Sequence, residues 1–339
     1  MRLYRFPKAE TIDDLTPAEE PSPEPKRGEV KLRMKAWSLN YRDLMVATGR
    51  YGASGTRPNL IPLSDGAGEV VAVGADVRRV KPGDRVCPTF MQGWLGGEVI
   101  AEARSRALGG GVDGVLAEEV VLSEQDLVPI PPHLSWEEAA TLPCAAVTAW
   151  NALFGAKRLQ PGETVLVLGT GGVSMFALQF AKAAGARVIA TSSSAEKLAH
   201  ARRLGADEGL NYRETPDWQD AVRTLTGGRG VDCVVEVGGA GTLPRSIAAA
   251  RIGGQVALIG VLTGGQIDPA PIMRRNVTLR GIFVGSREMF EAMNRAITQH
   301  RLRPVIDKVF PFDKASDAYR HLQGAAHVGK VVIGMDGVR

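Results

Sequence analysis

The residues best suited to chemistry stand together in the run Gly169-Thr-Gly171-Gly172-Val173-Ser174. It follows the aliphatic segment Thr164 to Leu168. It opens a stretch in which Phe176, Ala177, Phe180, Ala181 and Ala184 recur at helical spacing. Gly169 permits a tight bend, and Gly171 lets the backbone approach a pyrophosphate with no Cβ in the way. The N–H groups of the new helix, near Gly172 and Val173, then face the negative charge. Ser174 takes the third position of a G-x-G-x-x-G pattern, where a small residue packs helix on strand. A glycine trio alone is a weak signal in a chain with 40 glycines. Set between two buried strands and opening a helix, it predicts dinucleotide binding.

The choice of dinucleotide turns on the position about 20 residues further on, where an acidic residue would accept the ribose 2′-hydroxyl of NAD. Ser192 falls there, followed by Ser193, Ser194 and, after Ala-Glu, Lys197. No carboxylate at that place repels a 2′-phosphate, the serines can donate to it, and Lys197 can reach it. The reading favours NADPH. Ser194 also suits a helix N-cap, and the two roles are compatible.

These residues need a scaffold, and the chain supplies one. Arg187 to Thr191 is a second buried strand. Glu196 to Leu204 is a helix ended by Gly205, and Glu208 to Tyr212 a strand. Trp218 to Leu225 is a helix, Val231 to Val237 a strand, Leu243 to Ala250 a helix. Gln255 to Val261 and Thr278 to Val284 are further strands. Such alternation is the signature of a doubly wound Rossmann domain with a parallel sheet. Ligands of that architecture lie at the carboxyl ends of the strands, which draws in Gly238, Gly260 and Val261. Each of these glycines equally suits a tight turn.

Before that domain the pattern differs. Gly28 to Ala36 alternates with period two, placing Val30, Leu32 and Met34 on one face. Trp37 to Tyr51 holds a short helix closed by Gly49. Ile61 to Gly74 is a glycine-hinged strand, and Val115 to Leu122 returns to strand. Many short strands with Gly/Pro turns predict a small β-barrel. Met91 to Leu116 is long for a connection, so it is functional or mobile. Its Trp94 caps a pocket or anchors its own loop. Ser135 to Glu138 is a capping box, and a further helix starts at Pro143. Residues 285–339 read as the chain returning to the first domain, which gives a division at 1–145, 146–284 and 285–339.

Composition bounds the rest. At 339 residues the length suits two domains. A net charge of +4 with no basic block interleaved with aromatics argues against nucleic-acid binding. No apolar run is long enough to span a membrane, and no signal peptide is evident. Cys87, Cys144 and Cys233 are odd in number and far apart, which fits a reducing compartment, the cytoplasm, rather than a disulfide framework or a four-cysteine zinc lobe. The five histidines show no metal or triad spacing.

Taken whole, the chain resembles the medium-chain dehydrogenase/reductase superfamily, with a GroES-like β-barrel catalytic domain first and a Rossmann domain second. The matching stretches are Leu39-Asn-Tyr-Arg-Asp43, the Gly66-to-Gly74 hinge, Lys81-Pro-Gly-Asp84, Ala140-Thr-Leu-Pro143 and the Gly169 loop. It looks most like the zinc-free alcohol-dehydrogenase-like and quinone oxidoreductase branch. By order and spacing, the family's catalytic zinc ligands correspond to Asn40, Ser64 and Cys144. Only the last keeps a ligand, and catalytic zinc needs three protein ligands. Cys144 is then read as a buried small residue.

Without a Lewis acid, the favourable reaction is hydride transfer from NADPH to an already electrophilic carbon, as in a quinone or an α,β-unsaturated carbonyl. The developing enolate oxygen needs a hydrogen bond or a proton. The resemblance implies Tyr51 as proton donor, equally a pocket-lining residue, and Asn40 as the group that orients the substrate oxygen. Asp43 is expected to be a structural partner of Arg42 or Arg50. The same likeness suggests Thr148 beside the nicotinamide, Tyr212 near the 2′-phosphate, Lys330 toward the phosphates, and a homodimer built on the sheet edge near Thr263 to Val284. Two alternatives stand beside this reading: a zinc-free alcohol or carbonyl oxidoreductase, and a non-enzymatic NADPH-binding protein.

Overall fold

The structure is a computed structural model that describes residues 1–51 and 56–335. It divides into two compact units. One comprises Met1–Val147 and Gly285–Arg339, the other Thr148–Val284.

In the first unit the strand Glu29–Leu39 organises a seven-stranded, largely antiparallel sheet. One side pairs with Asp65–Val73. The other pairs first with Glu119–Ser123 and then, from Ala36 on, with Lys330–Gly334. Its first half buries Val30, Leu32 and Met34 in alternation, while Ala36, Trp37, Ser38 and Leu39 are all buried. A strand covered on both faces must read as continuously small or apolar, and this one changes pattern where the C-terminal strand joins it. The chain's return is fixed by Phe312, which packs against Trp37 at 4.9 Å and Tyr4 at 5.3 Å between ring centroids. The predicted helix after Trp37 is Tyr41–Ala47. Gly49, at φ +65°, turns the chain where a Cβ would touch the Ala9 carbonyl at 2.8 Å.

Two local expectations change. Val115 and Leu116 do not join the ladder, because their amides bond the Leu63 and Pro62 carbonyls, so the strand begins only at Glu119. The capping box is present, Ser135 Oγ accepting from the Glu138 amide. The helix that follows stops at Ala140, and a π-type turn over Leu142–Ala146 precedes Val147–Phe154. Pro143 has no N–H to give an α-helical ladder, and Cys144 lies in the widened turn.

The second unit is a six-stranded, all-parallel sheet. Its order is Glu208–Asn211, Arg187–Ser192, Thr164–Leu168, Val231–Glu236, Ala250–Leu258, Thr278–Gly281. Numbered along the chain this is 3-2-1-4-5-6, the order of the doubly wound dinucleotide fold. All five residues of Thr164–Leu168 are buried, as a central parallel strand requires.

Candidate active site

Along the carboxyl ends of the parallel strands the structure gathers most of the predicted dinucleotide residues. The helix Gly172–Ala183 starts three residues after the bend at Gly169, whose φ is +71°. Its N-cap is Gly171, which offers no side-chain cap to the first-turn N–H groups. A Cβ built on Gly169 or Gly171 would meet nothing within 4 Å. Open space and uncapped amides at a helix start are what a pyrophosphate needs, so the residues fit a dinucleotide. Ser174 is buried and donates from Oγ to the Leu168 carbonyl at 2.6 Å, tying helix to strand where a glycine or alanine would only pack.

Ser192 ends its strand, buried, and its carbonyl accepts from the Tyr212 amide at 3.0 Å. Ser193 and Lys197 are half-buried beside it, Ser194 caps the next helix through the Lys197 amide, and the Tyr212 ring is exposed. Gly238 and Gly260 follow the next two strands, and Val261 is exposed. Glycine is required at 260, where a Cβ would lie 1.7 Å from the Val237 carbonyl oxygen. Glu236, which sequence reasoning passed over, holds this rim. Its buried carboxylate accepts from the Gly238 amide at 2.6 Å, the Gly239 amide at 3.1 Å, Thr242 Oγ1 at 2.6 Å and Ser246 Oγ. An acid closing an apolar strand just before Gly-Gly was the available signal. Thr148 is buried in the helix Val147–Phe154.

The first unit holds a buried polar cluster around Asn40. Lys330 is 3% exposed. Its ammonium does not point to solvent as a phosphate ligand would; it donates to the Leu39 carbonyl and to Asn40 Oδ1, each at 2.5 Å. That contact fixes the Asn40 amide, because an ammonium can only donate. That leaves Nδ2 as the donor of the Asn40 amide; it is buried, and the amide favours the charged form of Asp65. Asp65 Oδ1 accepts from Ser64 Oγ at 2.7 Å and Oδ2 from the Cys144 amide at 3.1 Å. Burial raises the Asp65 carboxyl against the pull of Lys330, and burial lowers the Lys330 ammonium against the pull of Asp65. Burial, with Asp65 adding to it, pushes the Cys144 thiol far above the ordinary range.

Asp43 accepts from the Asn40 amide at 2.8 Å and from Arg42 Nη1 at 3.3 Å, the structural partnership expected of it. Burial raises its carboxyl to about 6 even so. Arg42 Nη1 also donates to the Leu108 carbonyl at 2.7 Å, while Nε and Nη2 are buried without partners. Its guanidinium lies over Tyr51, 4.4 Å from the ring centroid. Gly110 makes room for both: a Cβ there would stand 2.2 Å from Arg42 Nη2 and 2.8 Å from Tyr51 Cε1.

The zinc expected of related enzymes does not fit these residues. At the positions that the resemblance pairs with the three ligands, Asn40 and Ser64 offer only an amide and a hydroxyl, and a lysine ammonium already occupies the Asn40 oxygen. Among the described residues, no group of three or more His, Cys, Asp and Glu is placed to hold a metal ion.

Fold and loop geometry together define a protein of the dinucleotide-binding Rossmann class. Comparison with known proteins narrows the class. Residues 26–132 match the alcohol dehydrogenase GroES-like domain and residues 172–299 the zinc-binding dehydrogenase domain. A zinc-type alcohol dehydrogenase-like protein of Schizosaccharomyces pombe is 47% identical over 334 residues, 96% of each chain. The quinone oxidoreductase of Rattus norvegicus is 28% identical, covering 92% of this chain and 90% of its own. Among solved structures, a putative alcohol dehydrogenase from Sinorhizobium meliloti superposes with TM-score 0.91 at 42% identity, over 98% of this chain and 99% of its own. A 2-octenoyl-CoA carboxylase reductase in complex with NADP and 2-octenoyl-CoA does so with TM-score 0.87 at 29% identity, over 98% and 87%. The chain belongs to the medium-chain dehydrogenase/reductase superfamily and is an NAD(P)H-dependent oxidoreductase. Among the described residues, no helix is long and apolar enough to cross a membrane.

Proposed function

We propose that this protein is a zinc-independent, NADPH-dependent reductase of quinones or α,β-unsaturated carbonyls. The carrying observation is the Lys330–Asn40 contact, which puts a lysine ammonium and an oriented amide donor where related enzymes are expected to keep a metal. Bound NADPH supplies the hydride. Asn40 Nδ2 donates to the substrate oxygen and stabilises charge as it develops there. Tyr51, held on the Arg42 guanidinium, gives the proton.

The cofactor is held by the uncapped amides at Gly172 and Val173 after the Gly169–Gly171 bend, with Thr148 and the Gly238, Gly260 and Val261 rim along the nicotinamide half. Ser192, Ser193, Lys197 and Tyr212 take the 2′-phosphate; no acidic side chain ends the strand Arg187–Ser192, which supports NADPH over NADH. A second copy pairs along Thr278–Gly281, the last strand of the sheet, which has no neighbour on its outer side among the described residues. Met273 and Phe283, both exposed, flank it. The three free thiols support a cytoplasmic setting.

The test is turnover of the metal-free protein on a panel of quinones, enones, aldehydes and alcohols, with NADPH and NADH compared. Quinones or enones are the expected substrates, with NADPH bound more tightly. One tightly held zinc per chain after preparation in metal-free buffer would refute the reading. Tyr51→Phe lowers enone turnover by about 10²-fold where chemistry limits the rate; unchanged turnover removes Tyr51 from the mechanism.

A further inference from the structure

The second unit carries a concentration of arginines that dinucleotide binding does not use. Arg223, Arg229, Arg251 and Arg275 line a depression of about 410 Å³ together with Gly228 and Ile252. Its place in the fold separates it from the cofactor loops. Gly228 and Arg229 precede the strand Val231–Glu236, Arg251 and Ile252 stand near the start of Ala250–Leu258, and Arg275 precedes Thr278–Gly281. All six lie at the amino ends of the parallel strands. The Gly169, Gly238 and Gly260 turns lie at the carboxyl ends, one strand length away, roughly 20 Å for six residues.

The charges there are not balanced. Asp232 is the acid bonded to this group. Its Oδ1 accepts from Arg229 Nη2 at 2.8 Å and Arg251 Nε at 2.6 Å, and its Oδ2 from Arg229 Nη1 at 3.0 Å and the Thr164 amide at 2.9 Å. Against the cost of burial, those donors hold the carboxyl well below its ordinary range, so it stays an anion. One carboxylate thus serves Arg229 and Arg251. Arg223 and Arg275 bond only backbone oxygens, Arg223 Nη2 to Gly228 and Arg275 Nη2 to Ala250 at 2.6 Å. Both keep a buried nitrogen with no hydrogen-bond partner, Nη1 of Arg223 and Nε of Arg275. Burial, and after it the charge of Arg223, lowers the Arg275 guanidinium. Two buried donors with positive charge and no acceptor cost stability unless an anion supplies one.

We infer that this depression is an oxyanion site, shaped for a phosphoryl group and separate from the dinucleotide phosphates. Guanidinium forks match tetrahedral oxyanions geometrically, and charge-assisted bonds of this kind are the strong ones. The volume leaves room for a phosphate ester or a pyrophosphate as well as the bare anion. The two sources share one chemistry, a dianionic phosphoryl group presented to Arg223 and Arg275.

Calorimetric titration of the full chain, saturated with NADPH so that the dinucleotide site is closed, tests this. Pyrophosphate is the probe, with inorganic phosphate and AMP as competitors. One pyrophosphate per chain is expected, with affinity reduced about tenfold or more in Arg223→Gln and in Arg275→Gln. Competition by AMP identifies an ester as the ligand class; competition by inorganic phosphate alone identifies the free anion. Retained NADPH binding by both variants shows that they fold. Should either variant fail to fold, wild-type affinity must still fall steeply with added sodium chloride but not with an equal concentration of a neutral solute. No pyrophosphate binding by the NADPH-saturated wild type, or equal binding by both folded variants, overturns the inference, and neither result bears on the reductase reading.

Discussion

Replacing Lys330 by methionine is the sharpest perturbation of the Asn40 cluster. Lys330 is 3% exposed; the substitution keeps the length of its buried stem and removes the ammonium, which has two acceptors at 2.5 Å. Asp65 then loses the strongest opposite charge acting on it, and the Leu39 carbonyl and Asn40 Oδ1 each lose a donor. Breaking a buried pair by removing one partner costs about 3–5 kcal/mol. For a unit of this size that loss is measurable by urea unfolding followed at a first-unit tryptophan such as Trp37, with the midpoint falling at unchanged slope. Adding Asp65→Asn should return much of the loss, because both charges of the pair are disfavoured by burial and their joint removal relieves both. The coupling in this double-mutant cycle should reach about 1–3 kcal/mol. Enone turnover should not return with stability, since the Asn40 amide is no longer held in one orientation. A Lys330→Met protein as stable as the parent, or a double variant that regains full turnover, would refute the argument.

Three further outcomes follow from the same geometry. Gly110→Ala drives a Cβ into Arg42 and Tyr51, and overpacking there should cost about 1–3 kcal/mol and lower kcat while NADPH affinity, read by fluorescence titration, holds. Gly171→Val should fold normally, since its Cβ meets nothing, yet weaken NADPH by about tenfold or more, ~1.4 kcal/mol, by obstructing the pyrophosphate; equal affinity would move the phosphate site elsewhere. Asp43 has a folded-state value raised to about 6. The folded chain therefore binds an extra proton between the unfolded value near 3.9 and 6, and its contribution to stability falls as pH rises through that window, by up to roughly 3 kcal/mol. Asp43→Asn should flatten stability against pH between those limits in urea unfolding series, and an unchanged slope would dismiss the carboxyl as the source.

The dinucleotide half was legible because its signals are local. A buried strand, a bend at Gly169 and a helix with Phe176 and Phe180 inward lie within 17 consecutive residues from Thr164, and the β/α alternation after them predicts the parallel sheet. Helix bounds came through where a cap marked them, as at Ser194 and Ser135. The Asn40 cluster was not legible in that way. Lys330 meets Asn40 across 290 residues of chain, and the resemblance sets it toward the phosphates. Asp65 reads as a turn acid before Gly66; its burial depends on strand pairing with Ser38. The arginines at 223, 229, 251 and 275 are spread over four segments, so each looks like an ordinary solvated charge. Their convergence at the sheet's amino end is a product of topology.

The Asn40 cluster also bears on why a charged pair persists where apolar packing would serve stability as well or better. Asparagine alone presents either an acceptor or a donor to whatever lies opposite, and the two faces have nearly the same shape. With Lys330 on Oδ1 the choice is made, and the remaining face can only donate. A donor stabilises an oxygen that is gaining negative charge, which is what happens when hydride arrives at the far end of a conjugated carbonyl or quinone. An acceptor there would oppose that charge and favour a neutral hydroxyl instead. On the function proposed above, the ammonium favours reduction of an activated acceptor without touching the substrate itself. On that reading the Lys330–Asn40 contact fixes the polarity of one amide, and the cost of burying the ammonium near Asp65 is the consequence of keeping that polarity in a buried place.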